Sequence, residues 1–232
     1  MNNYKQEWNS SYKSKDNFVF YPHEDIIRFI SKYIRKRVGL DQFLDQNDYK
    51  ATPKVLDFGC GIGRHIKLLK EFNLDGYGFD LSQEAINVAK HNFKALGLSD
   101  LLSKVIVANI TDLPYQDKYF DFMLSHGVLD SMPFEVAKKG IDELARVLKN
   151  NGLIYFDLIS TEDSSCNNST NFERIVEESH EKGTIQTYFN IDKIKELIGN
   201  KYEIVELYNI KKEDELNPKF IISRFHVIAR KL

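Results

Sequence analysis

The stretch VLDFGCGIGRH, Val55 to His65, constrains this chain more than any other. Val55 to Phe58 reads as a short buried strand. Gly59, Gly61 and Gly63 then form a turn without side-chain bulk, where backbone and ligand can approach closely. A helix follows, with His65, Leu68, Leu69 and Phe72 on one face. Strand, Gly-rich turn and helix in that order open the first ligand crevice of an α/β sheet.

The glycines are spaced GxGxG, which departs from the GxGxxG of dinucleotide-binding turns. Asp57 discriminates further. A carboxylate just before the first glycine repels a pyrophosphate and favours a ligand carrying an ammonium and a sulfonium. Asp80 ends a second strand-like run, YGFD (Tyr77 to Asp80). It lies close to the ~20-residue offset at which an acid receives ribose hydroxyls. An ionised carboxylate offers two adjacent acceptors for those hydroxyls. An aminoacyl end at Asp57 and a ribose at Asp80 together describe S-adenosyl-L-methionine.

The run continues in GFDLS (Gly78 to Ser82), ANITDLPYQDKYFDFMLSHGVLDSMP (Ala108 to Pro133) and ELARVLKNNGLIYFDL (Glu143 to Leu158). In order and spacing, from about Lys54 to Leu158, this resembles the class I S-adenosylmethionine (SAM)-dependent methyltransferase family, in its small-molecule form. The resemblance implies an α/β fold: a Rossmann-like, seven-stranded, mostly parallel sheet with one antiparallel strand and helices on both faces. An N-terminal helical lid is expected with it. It implies SAM as cofactor, S-adenosyl-L-homocysteine as product and no metal. Asp57 would face the methionine amino group, with Gly59, Cys60, Gly61 and Gly63 lining that end and Leu81 walling the adenine. Asn109-Ile110 stands where the family commonly has an Asp-plus-small pair, and the Asn amide oxygen would accept from the adenine amine. Ser125 and His126 would sit beside the sulfonium. His126 is the candidate general base, or else a hydrogen-bonded wall residue. Arg28 either reaches the methionine carboxylate from an N-terminal helix or is a solvated helix-face arginine. Tyr12 would cover the pocket as part of the lid, and Tyr21, Tyr188 and Arg224 either line it or pack the core. The nucleobase and protein-glutamine branches usually carry Asn/Asp-Pro-Pro-aromatic after the fourth strand; here the stretch is LSHGVL, Leu124 to Leu129.

Among 232 residues, 32 basic side chains face 34 acidic ones, a balance that argues against wrapping nucleic acid. A small-molecule acceptor fits better. Two cysteines, Cys60 and Cys166, make a disulfide framework improbable and suit a cytoplasmic setting. No secretory h-region and no membrane-length apolar run is expected. Residues 1–50 read as a lid segment and helix, with Tyr4, Trp8 and Tyr12 in the lid. Residues 51–232 read as the SAM-binding domain, with a small hairpin insertion at about 172–190. A helix is expected over Glu24 to Val38, with Arg28 bordering its apolar face, then a linker over Gly39 to Pro53. A helix over about Phe134 to Lys149 precedes a strand over Leu153 to Leu158. In the insertion, Glu173 to His180 would pair with Thr184 to Asn190, and Pro218 would sit in the last loop. An RNA or protein methyltransferase, a non-catalytic SAM-binding partner subunit, and a homodimer formed through the hairpin remain open alternatives. A nicotinamide dehydrogenase is opposed by Asp57 and the glycine spacing.

Overall fold

The protein, as a computed structural model, is described over residues 3–15, 17–169, 171–179 and 181–232. The chain begins with α1 (Asn3–Ser14) and α2 (Glu24–Phe29), then β1 (Arg35–Arg37) and β2 (Phe43–Asp45). The core follows as β3 (Lys54–Phe58), α3 (Arg64–Glu71), β4 (Asp75–Asp80), α4 (Gln83–Ala95), β5 (Val105–Val107) and β6 (Phe120–Leu124). After α5 (Phe134–Val147) and β7 (Leu148–Ile159) come the short β8 (Glu173–Ile175) and β9 (Ile185–Thr187). The chain closes with α6 (Ile191–Ile198), β10 (Tyr202–Asp214) and β11 (Asn217–Lys231).

Seven strands form one sheet in the order β10-β11-β7-β6-β3-β4-β5. β11 alone runs antiparallel to its neighbours. The Rossmann-like architecture expected from the sequence is therefore present. Successive residues of the central strands face opposite sides, and both sides are apolar. Leu56, Met123, Ile154 and Phe156 pack with α5 and α6. Val55, Leu124 and Tyr155 pack with α2, α3 and α4. Chain order reverses between β3 and β6, so their carboxyl ends flank the crevice where such sheets bind ligands.

Tertiary contacts overrule the local pattern in three places. The helix expected over Glu24 to Val38 ends early, in a π-helical turn over Ile30–Ile34. Arg35 is then extended, and β1 pairs antiparallel with β2 inside the expected linker. The Arg35 guanidinium holds this hairpin down, donating to the Asn73 carbonyl at 2.7 Å and to Asp45 at 3.1 Å. The helix expected to reach Lys149 gives way to β7 at Leu148, and Asn150-Asn151-Gly152 sits in an irregularity of the β6–β7 register. The insertion pairs over three residues per arm, Glu173↔Thr187 to Ile175↔Ile185, shorter than expected. Pro218 falls at the start of β11, where a strand tolerates it. His180 of the expected hairpin, and Met1, Asn2 and Asp16 of the expected lid, lie outside the described residues.

α1 lies against α4. The Asn9 side-chain oxygen accepts from Ser82 Oγ at 2.8 Å, at the cap of α4. Among the described residues no helix is long and apolar enough to cross a membrane.

The first turn of α3 depends on Gly63, whose φ is 86°. A Cβ there would lie 2.5 Å from Phe93 Cζ and 3.3 Å from Ala89 Cβ. Left-handed strain and overpacking together should make Gly63→Ala destabilising by about 2–4 kcal/mol. Urea unfolding should show a lower midpoint with an unchanged slope.

Candidate active site

A cavity of about 720 Å³ opens at the carboxyl ends of β3, β4 and β6. Small-molecule sites commonly enclose roughly 300–1,000 Å³. Gly59, Cys60 and Gly61 form one wall, and Asp80, Leu81, Asn109 and Ile110 form the next. α1 turns Tyr4, Trp8 and Tyr12 into it, residues spaced to share one helix face. Tyr12 meets the glycine turn: a Cβ on Gly61, whose φ is 52°, would lie 2.7 Å from the Tyr12 hydroxyl.

Asp57 stands behind this wall, is 1% exposed and does not itself line the cavity. Neither of its carboxylate oxygens has a hydrogen-bond partner among the described residues. Its nearest basic neighbour is His65, with Nδ1 3.5 Å from Oδ2. His65 itself lines the cavity. A buried carboxylate short of donors is costly, and a ligand ammonium at this end would supply them.

Asp80 is anchored differently. Its Oδ2 accepts from the Gly61 N–H at 2.9 Å and its Oδ1 from the Ser82 N–H at 2.8 Å. Each oxygen keeps acceptor capacity for a ribose hydroxyl. Burial pushes its pKa up to about 6, against the pull of those backbone donors.

Other positions differ from expectation. Arg28 is not at this cavity. α2 buries Ile26 and Phe29, which leaves Arg28 exposed and lining a separate groove with Lys32, Tyr155 and Tyr208. Gly63 is the N-cap of α3 and Ser125 is buried at 1% exposure; neither lines the cavity. The Asn109 side-chain oxygen turns back to accept from the Thr111 N–H and hydroxyl, both at 3.1 Å. That Asx turn occupies the atom expected to meet the adenine amine. Tyr21 is 84% exposed, and Tyr188 is buried and bonded to Arg174 and Ser165.

The cation at the glycine-turn end of the cavity is Arg64, which sequence reasoning missed although it directly follows Gly63. It donates to the Tyr21 carbonyl at 3.3 Å and lies 3.5 Å from His126 Nδ1. It has no carboxylate at ion-pair distance among the described residues, so its guanidinium suits a ligand carboxylate.

His126 lines the cavity beside His23, with ring centroids 4.0 Å apart. Its Nε2 is 3.5 Å from Asp157 Oδ2. Burial pushes its pKa down to about 3 despite the Asp157 charge, so the ring is neutral at physiological pH. Behind it, Arg224 donates from Nε to Asp157 at 2.7 Å and from Nη2 to Asp130 at 2.6 Å. Burial raises both acids, but Arg224 and then His126 carry Asp157 below the usual carboxylate range, while Asp130 stays above it. Asp130 and Arg224 both line the cavity.

Residues 56–156 match the family model for a methyltransferase domain. That stretch is thus a methyltransferase domain. An uncharacterized protein of Haemophilus influenzae is 36% identical over 115 residues, covering 49% of this chain and 45% of its own length. A sterol 4-C-methyltransferase of Caenorhabditis elegans is 29% identical over 121 residues, covering 52% of this chain and 35% of its own. A solved SAM-dependent methyltransferase of Methanosarcina mazei shares the fold, with a TM-score of 0.64 at 22% identity over 82% of this chain and 99% of that one. The chain spans about half the length of the curated relatives it matches.

The paired acceptors of Asp80 and the cation at Arg64, both lining the cavity, with the unpartnered Asp57 behind them, suit the ribose, carboxylate and ammonium of S-adenosyl-L-methionine. Ribose binding needs ionised Asp80, so affinity should fall as the pH drops through about 6. His126, held near 3 by burial, takes up no proton in that window. Calorimetric titration with S-adenosyl-L-homocysteine should show roughly three- to tenfold weaker binding near pH 5 than near pH 7.5. Asp80→Asn should lower affinity by about 1–3 kcal/mol at the higher pH and flatten the dependence.

Proposed function

We propose that the chain transfers a methyl group from S-adenosyl-L-methionine to an O or N atom of a small-molecule acceptor, releasing S-adenosyl-L-homocysteine. The observation that carries this reading is the roof over the acceptor half of the cavity. Tyr4 and Trp8 come from α1, Glu181 and Gln186 from the β8–β9 hairpin, and Arg224 from β11. α1 and the hairpin turn meet, since a Cβ on Gly183 would lie 3.0 Å from Glu7 Cγ. The hairpin is tied down in turn: Thr187 donates to the Asp130 carbonyl at 2.7 Å, and Phe134 N–H to Glu173 at 2.8 Å. A compact acceptor fits beneath such a cover, whereas a folded RNA or protein needs an open face. The sterol acceptor in the name of the C. elegans relative is likewise a small molecule. Two cysteines without disulfides, Cys60 and Cys166, accord with a reducing cytoplasm.

The bound cofactor supplies an electrophilic methyl on a sulfonium, so the difficult chemistry is its own. The chain's residues bind, orient and exclude water. Asp57 meets the ammonium, Arg64 the carboxylate and Asp80 the ribose. Tyr12 closes over the glycine turn. Such positioning removes ~7–11 kcal/mol of a transfer barrier. His126 serves as a neutral hydrogen-bonding wall, because an imidazole held near pKa 3 takes a proton poorly.

Incubation of the protein with methyl-labelled cofactor and a cell extract, followed by size fractionation, tests this reading. Label is expected in the small-molecule fraction. Label confined to RNA or protein, or no protein-dependent transfer, contradicts it. His126→Ala should lower turnover by less than the ~100-fold lower bound typical of losing a general base.

A further inference from the structure

Asp130 is a cavity-lining acid with one buried oxygen left without a donor among the described residues. It is 1% exposed. Its Oδ2 is saturated, accepting from Arg224 Nη2 at 2.6 Å and from the Ile159 N–H at 2.9 Å. Its carbonyl is held by the Thr187 N–H and by Gln186 Nε2 at 2.8 Å. Its Oδ1 is buried and has no partner among the described residues. The side chain is therefore clamped from β7 and β11 and the backbone from β9, in a residue that lines the cavity.

Charge narrows the choice of donor. Arg224 is shared between Asp130 and Asp157, so two carboxylates face one guanidinium. His126 is neutral beside them. The remaining cavity charges are Arg64 and Asp80 at the glycine turn, Glu135 and Lys139 on α5, opposite in sign, and Glu181 from the hairpin turn, a further acid. An anionic acceptor would meet uncompensated carboxylate at Asp130, and a cation would be drawn to it. Trp8 and Tyr4 on the roof add aromatic surface that suits an ammonium.

We propose that Asp130 is the acceptor-binding residue, and that the acceptor is a primary or secondary amine whose N–H donates to Asp130 Oδ1. This assignment rests on the methyl-transfer reading above. It also accounts for the proton. A bound ammonium has no lone pair; transfer of one N–H proton to Asp130 Oδ1 breaks the N–H bond, forms O–H and frees the nitrogen pair for the methyl. Asp130 then returns that proton to solvent. Burial, acting against Arg224, holds this carboxyl above its ordinary range, which favours the exchange.

Binding rather than turnover tests the proposal. Wild-type protein saturated with S-adenosyl-L-homocysteine would be titrated with isosteric sets: 2-phenylethylamine, 2-phenylethanol and phenylacetate, then isopentylamine, isopentanol and isovalerate. The amines should bind about tenfold or more tightly than their partners, the least a charged hydrogen bond contributes. Asp130→Asn replaces the acceptor oxygen with a donor and should abolish that preference, with homocysteine-cofactor affinity held within about twofold. Equal or tighter binding of the alcohols or acids, no binding of either amine, or an unchanged preference in Asp130→Asn overturns the assignment. Wild-type protein that fails to bind S-adenosyl-L-homocysteine overturns the cofactor reading instead. Should Asp130→Asn not fold, the wild-type ranking still decides, and Trp8→Ala should weaken the amines about threefold or more through loss of the aromatic face.

Discussion

A carboxylate buried without donors at the reversal point of the sheet is the constraint from which the cofactor half of this site follows. Asp57 is the penultimate residue of β3, between β4 and β6, just before the glycine turn. Neither of its oxygens has a hydrogen-bond partner among the described residues. The Gly61 N–H, which a phosphate would otherwise use, is already bonded to Asp80. The turn thus offers a carboxylate just before it and a diverted amide, an environment suited to a cation and adverse to a diphosphate.

The acceptor half is organised by the antiparallel strand. β11 pairs with β7 so that Arg224 stands opposite Ile159, and His226 opposite Asp157. That register brings the guanidinium to Asp157 on β7 and to Asp130 in the loop after β6. The same loop anchors the hairpin through Thr187. One strand reversal therefore links the sheet, the polar cluster behind His126 and the roof over the acceptor.

What the sequence made legible was local. The glycine turn and the acids near the carboxyl ends of β3 and β4 lie within a few residues of their consequences. The seven-stranded sheet follows from motifs in order. The three aromatics of the first segment read as a packing face, and they share one face of α1. Contacts between distant residues were not legible. Arg28 and Arg64 each precede or follow a plausible apolar face, and only the orientation of α2 separates them. Arg35 ends a helix by bonding to Asn73, 38 residues away in the chain. Asp130 and Arg224 are 94 residues apart, and no spacing rule pairs them. Asn109 shows the same limit at short range, since its Asx turn competes with ligand contact and residue type alone does not say which wins.

The most direct test compares donors at Asp57. Calorimetric titration of the full chain with S-adenosyl-L-methionine and, separately, with NAD should show saturable binding of the first only. Asp57→Asn should weaken S-adenosyl-L-methionine about tenfold or more, as expected when a charged partner is lost. Binding of NAD by the wild type, or an Asp57→Asn protein that holds S-adenosyl-L-methionine as tightly as its parent, would contradict the account.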